Sequence, residues 1–308
     1  MTKKKWKSIR LFLYVAPFIA LVIIFSYYPL YGWIYAFYDY RPPKPFSEAQ
    51  FVGLKWFKSL VENDVKIKQI VQVLKNTFAM SALTLGTSWL PMLFAVFLNE
   101  IRCVKFRKFV QTVTTLPNFV SWVLVYSVAF SLFNSTGMAN TLLMKLGFTT
   151  EPILFLQSTK HVWFTQWLWL TWKNLGWAAI MYIAAISGID DELFQAAKVD
   201  GANAFVIFFK ITLPYMLFVT GPYLITTFTG NVNNFNVIYL LTGGNPTPVG
   251  STAGRTDLLV TWLYKLTVDN QYYNLGAVIG ILTFLVLAVV SLITYRNTGS
   301  YKNEEGFQ

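Results

Sequence analysis

The chain has 308 residues, 55% of them hydrophobic, 18% aromatic and 13% charged, with a mean hydropathy of +0.47. Soluble domains carry about 25% charged residues, so this balance excludes an ordinary soluble domain and points to a membrane protein. The net charge of +11 is not gathered into a nucleic-acid patch: five basic residues (Lys3, Lys4, Lys5, Lys7, Arg10) precede the first apolar run and four (Arg102, Lys105, Arg107, Lys108) share one short connection, as topology signals do.

A spanning helix needs about 20 mostly apolar residues, and six stretches supply them: 11–37, 77–98, 109–133, 162–187, 211–230 and 275–295. The fold class expected is therefore all-α, with six transmembrane helices. The first stretch is too long for a signal peptide and closes on no small-residue cleavage site, so it reads as a retained anchor. Pro17, Pro29, Pro91 and Pro117 predict kinks. An even number of spans puts both termini on one side. The basic segments 1–10 and 99–108, with Glu100 as their one acid, place that side in the cytoplasm, together with the tail 296–308. The loop 38–76 then lies outside. Its alternating charges from Glu62 to Lys68 predict an amphipathic surface helix. Segments 134–161 and 231–274 also face outward, and the outer segments together carry a surplus of basic over acidic residues, which suits acidic oligosaccharides or, equally, an acidic binding protein.

The connection 188–210 is cytoplasmic by this topology, yet it holds four acids against two lysines. A cytoplasmic loop that breaks the charge bias answers to a partner protein. Leu193, Phe194, Ala197 and Val199 have helix-compatible spacing and form one apolar stripe. Asp190 and Asp191 suit a helix start, and Gly201 a helix end. The short helix this predicts would lie in a groove of another protein, with Leu193, Phe194 and Ala197 as anchors.

Elements of catalysis are missing. Every Asp and Glu falls in a loop or tail, Cys103 and His161 stand alone, and no metal-ligand cluster is readable. The Gly-rich run Gly243–Ser251 lacks the lysine of a phosphate-binding loop. Inside the fourth stretch Lys173 is the one charge, costly enough at that depth to face a cavity or find a partner. Five tryptophans crowd the same stretch, of which Trp177 lies on the side of Lys173 and Asn174. Asn231, Asn233, Asn234 and Asn236 form a polar run at the end of the fifth. A membrane-embedded enzyme or an ion-coupled secondary transporter would want carboxylates inside the spans.

The segment Gln195-Ala196-Ala197, three residues, Gly201, nine residues, then Ile211-Thr212-Leu213-Pro214 resembles the EAA loop of permease subunits of bacterial ABC importers. Gln195 stands where that pattern has Glu, which keeps a hydrogen bond and loses a charge. The stretch Asn233–Pro246 resembles the carbohydrate-importer segment F-x-x-I-x-L-L-T-x-G-G-P. Ala253–Val260 is similar to the larger permease of maltose and maltodextrin systems, and Leu116–Trp122 and Trp172–Trp177 to permeases for complex oligosaccharides. The resemblance implies a type I importer permease fold whose coupling helix docks on an ATPase through Glu192, Leu193, Phe194, Gln195, Ala196, Ala197, Asp200 and Gly201. It implies a substrate site at Lys173, Asn174, Trp177, Thr227, Gly230 and Asn234, where Gly230 and Lys173 depart from the maltose pattern. It also implies a second homologous permease, two ATPase subunits holding ATP and magnesium, and an extracellular sugar-binding protein, lipid-anchored or periplasmic. The setting implied is a bacterial plasma membrane, with no cofactor in this chain and no catalysis of its own.

Overall fold

The computed structural model describes residues 3–297, with side chains from Arg10 to Arg296. The tail beyond Asn297 and the side chains of the N-terminal lysines, both read above as topology signals, lie outside the described residues. The helices run in chain order as α1 (Lys3–Val22), α2 (Lys55–Val61), α3 (Asp64–Gly86), α4 (Trp89–Glu100), α5 (Val104–Phe119), α6 (Trp122–Phe133) and α7 (Met138–Lys145). They continue as α8 (Val162–Ser187), α9 (Asp191–Val199), α10 (Ala204–Ile207), α11 (Leu213–Val232), α12 (Phe235–Thr242), α13 (Leu259–Tyr264) and α14 (Tyr273–Asn297). The fold is helical, as composition demands: in lipid, backbone N–H and C=O groups must find partners within the chain.

Among the described residues, five stretches are long and apolar enough to cross a membrane: 10–37, 64–100, 122–145, 204–242 and 273–296. The expected fourth span, 162–187, is the uninterrupted 26-residue α8. At 1.5 Å per residue it is about 39 Å long, ample for a bilayer, but its tryptophans, Gln166, Lys173 and Asn174 lower its apolarity. Two other expectations need correction. The surface helix expected over 62–68 is no separate element; it is the first turns of α3, which runs on into the apolar stretch. The span expected over 109–133 is not one helix. It breaks at Val120 and Ser121, both extended, and Ser121 caps α6 by accepting a hydrogen bond from the Leu124 N–H at 3.3 Å. Pro117 contributes to the break, having no N–H to give α5.

The chain forms two compact units. The first comprises residues up to Ile67 together with Leu263–Leu282. Here α1 tightens through a π turn at Ile23–Tyr27 into a 3-10 stretch, Tyr28–Phe37. A two-residue hairpin follows, β1 (Tyr38–Asp39) antiparallel to β2 (Gln50–Phe51). The Tyr38 carbonyl accepts from the Trp56 indole at 3.1 Å and from the buried Asn274 amide at 2.7 Å, which pins the hairpin to the start of α14. Apolar side chains from Leu11 to Phe25 stand exposed, as they would facing lipid or a partner.

The second unit comprises Lys68–Trp262 and the chain from Thr283 on. Its long helix α8 carries two cores. Towards its start, Trp169 and Leu170 pack with Met80, Val125, Ala129, Val237, Ile238 and Leu258. Towards its end, Ala179, Tyr182, Ala185 and Ile186 pack with Met92, Ala95 and Met216. Between the two cores α5 crosses α8 with backbones in contact, because residue 176 is glycine: a Cβ there would lie 2.2 Å from the Thr114 carbonyl oxygen. Small residues permit such crossings in membranes. Gly176→Ala is expected to push α5 away and cost about 1–3 kcal/mol, the usual range for overpacking. Gly230→Ala, whose Cβ would meet nothing within 4 Å, should leave stability unchanged. Thermal unfolding of the two variants in detergent checks the contrast.

Candidate functional site

The loop 188–210 is built as two capped turns of helix. Asp190 caps α9, its carboxylate accepting from the Glu192 N–H at 3.0 Å, and Asp191 and Glu192 add charge where the helix dipole favours it. At the other end Gly201 adopts φ +77°. Its N–H reaches the Lys198 carbonyl at 3.1 Å while Ala202 N–H reaches Ala197 O at 2.9 Å. This paired closure satisfies the last carbonyls and requires a left-handed residue, which glycine supplies without strain. Asn203 then caps α10 by accepting from Val206 N–H at 2.9 Å.

No residue of α9 is buried. Of the three anchors expected, Leu193 is exposed, while Phe194 and Ala197, three residues apart, are half-buried. Glu192, Gln195, Ala196, Asp200 and Gly201 are exposed, as is Val199. The loop is tied to its own spans by Tyr215 of α11, whose hydroxyl donates to the Gly188 carbonyl at 3.0 Å.

Those same spans form the walls of a cavity of about 240 Å³. Helix α8 contributes Leu170, Thr171, Asn174, Leu175, Trp177, Ala178 and Tyr182; α11 contributes Tyr223, Thr227, Gly230 and Asn231; the α3–α4 junction adds Thr84, Thr87, Ser88 and Pro91. Four of the six residues expected in a substrate site thus come together: Asn174, Trp177, Thr227 and Gly230. Trp177 is half-exposed, held edge-on by Phe119 with ring centroids 6.2 Å apart. Asn174 donates to its own helix at Leu170 O (3.0 Å) and accepts from the Asn118 amide at 3.1 Å.

The other two expected residues do different work. Lys173 is buried, and its ammonium donates to the carbonyls of Pro117 (3.0 Å), Asn118 (2.8 Å) and Val120. All three N–H donors are spent on carbonyls at the break after α5, of which Pro117 O also accepts the Val120 N–H at 3.2 Å, with the Trp122 ring 5.3 Å away. A cation at a helix C-terminus is well placed against the dipole, and Lys173, spent on this staple, does not line the cavity. Asn234 caps α12, accepting from Val237 N–H at 3.4 Å, and does not line the cavity. The amide that does is Asn231, whose Nδ2 donates to Thr227 O at 2.8 Å. Tyr182 and Tyr223, with rings perpendicular at 6.1 Å, and the Thr84, Thr87, Ser88 group were not singled out by sequence. Polar side chains inside otherwise apolar spans were the available signal.

A family model described as binding-protein-dependent transport system inner membrane component matches residues 104–299. Among curated proteins, the chain is 32% identical over 307 residues to the galactooligosaccharides transport system permease protein GanP of Bacillus subtilis (strain 168), covering 94% of this chain and 70% of that one. It is 31% identical over 301 residues to the polygalacturonan/rhamnogalacturonan transport system permease protein YteP of the same organism, covering 96% and 89%. Among solved structures, it resembles a chain of a bacterial ABC transporter involved in the import of the acidic polysaccharide alginate. The TM-score is 0.77 and the identity 28%, over 96% of this chain and 98% of that one.

Proposed function

This chain belongs to the family of binding-protein-dependent transport system inner membrane components, and from that premise we propose that it is one of two permeases of a bacterial ABC importer for oligosaccharides. One observation carries the reading: the exposed, doubly capped helix α9 is strung between the two helices, α8 and α11, that wall the mid-span cavity. A partner that grips α9 moves both walls together. The chain carries the path and the handle, while energy comes from two ATPase subunits with their ATP and magnesium. Alternating access follows if ATP-bound ATPases bind one arrangement of the permease pair more tightly than the other; that difference sets the population shift.

The reading includes six spans, with α8 as the fourth, both termini in the cytoplasm and a plasma-membrane location. The cavity's phenols, hydroxyls, amides and single indole suit a sugar, which presents hydroxyls that donate and accept and ring faces that stack. An extracellular binding protein, lipid-anchored or periplasmic, would deliver it. Purification of the chain from its native membrane in mild detergent tests this. Co-purification of a second permease, an ATPase and a sugar-loaded binding protein is the expected result. Recovery of the chain alone, with loop 188–210 intact, would overturn it in favour of an ion-coupled carrier.

A further inference from the structure

Resting on that reading of the cavity as part of the sugar path, we infer that the transported oligosaccharide is neutral, and that uronic-acid oligosaccharides are rejected by this chain. None of the described residues lining the cavity carries a formal charge. The neighbouring cation, Lys173, has no N–H left, since three backbone carbonyls take all of them. What faces the space is neutral: the hydroxyl of Thr227, the amides of Asn174 and Asn231, and the phenols of Tyr182 and Tyr223.

Charge decides the matter because of depth. Asn174 and Trp177 lie near the middle of the 26-residue α8, mid-bilayer if α8 is the fourth span as proposed. A carboxylate moved there leaves its hydration behind, and a buried charge is tolerated only with an opposite charge or a full set of donors. One N–H of each amide is already engaged, Asn174 Nδ2 with Leu170 O and Asn231 Nδ2 with Thr227 O. The remaining amide N–H groups, the hydroxyls and the amide oxygens are neutral donors and acceptors, which match the hydroxyls of a neutral sugar and supply no countercharge to a carboxylate. The similar chain from the alginate importer is named for an acidic polysaccharide; the inference separates this chain from it on the chemistry of the lining alone.

The test is equilibrium binding to the purified permease–ATPase complex without the binding protein, so that the permeases alone discriminate. The probes are radiolabelled matched pairs differing only in the oxidation of C6: galactotetraose against tetragalacturonate, and cellotetraose against its glucuronate counterpart. The neutral member of at least one pair should bind at least tenfold more tightly, and Thr227→Lys, which places an ammonium in the cavity, should cut that ratio at least tenfold. Equal or tighter binding of the uronates by the unmodified complex would overturn the inference and leave the importer reading standing. An unchanged ratio in Thr227→Lys would also overturn it, since this cavity would then not face the sugar. Binding of neither class would remove the oligosaccharide reading and this inference with it.

Discussion

Replacing Lys173 with methionine is expected to destabilise the protein by about 3 kcal/mol, through the carbonyls it abandons rather than through any lost ligand contact. Charged hydrogen bonds contribute about 1.5–3 kcal/mol each, and a buried acceptor left alone costs about 1–3 kcal/mol. One ammonium serves three carbonyls: those of Asn118 and Val120 lose it, while Pro117 O keeps the Val120 N–H at 3.2 Å. Methionine recovers part of this by removing the cost of burying a charge, so the full sum is not seen. Arginine should not rescue, because its planar fork cannot place donors on three carbonyls arranged around a point. The readout is thermal unfolding of the purified chain beside sugar affinity of whatever folded fraction remains. A lower unfolding temperature with unchanged affinity in the folded fraction is the expected pair. Normal stability with weakened sugar binding would return Lys173 to the substrate site.

The break that Lys173 closes also shows what a linear reading cannot see. Residues 109–133 are continuously apolar enough to pass for one span, and hydropathy has no term for a helix that ends because a side chain 53 residues on supplies donors to its last carbonyls. Only packing of α5 on α8, made possible at Gly176, brings the two together. The asparagine run could not be resolved from sequence for a related reason. Which of Asn231 and Asn234 caps and which lines the cavity depends on where α11 stops, and helix ends are uncertain by a residue or two. Local chemistry was legible where it decides structure locally. The Asp190 cap and the turn at Gly201 follow from neighbours within a few positions, and both are seen. Asn174, Trp177, Thr227 and Gly230 converge because the spacing between α8 and α11 is set by the loop that joins them.

That loop supports the second large effect. Leu193→Asp is expected to abolish ATP-driven transport while leaving the permease folded, since Leu193 is exposed and touches no core. A buried apolar anchor at the centre of an interface is worth about 2–4 kcal/mol, which is about 30- to 1,000-fold in affinity; an aspartate would also place charge in the groove. Gly201→Val attacks the same helix from its other end by a different route. No atom lies within 4 Å of the added Cβ, yet φ +77° is a conformation a β-branched residue resists. The strain should unwind the closure over Lys198 and Ala197 and blur the helix proposed as the ATPase's handle. Both variants should insert and pair with the second permease as before, and both should lose affinity for the isolated ATPase, read by titration of labelled ATPase onto the purified permease pair. Gln195→Glu, which restores the acidic residue of the pattern, should at most strengthen that binding. If Leu193→Asp and Gly201→Val bound ATPase with wild-type affinity, α9 would not be the handle, and the push on α8 and α11 would have to enter the molecule elsewhere.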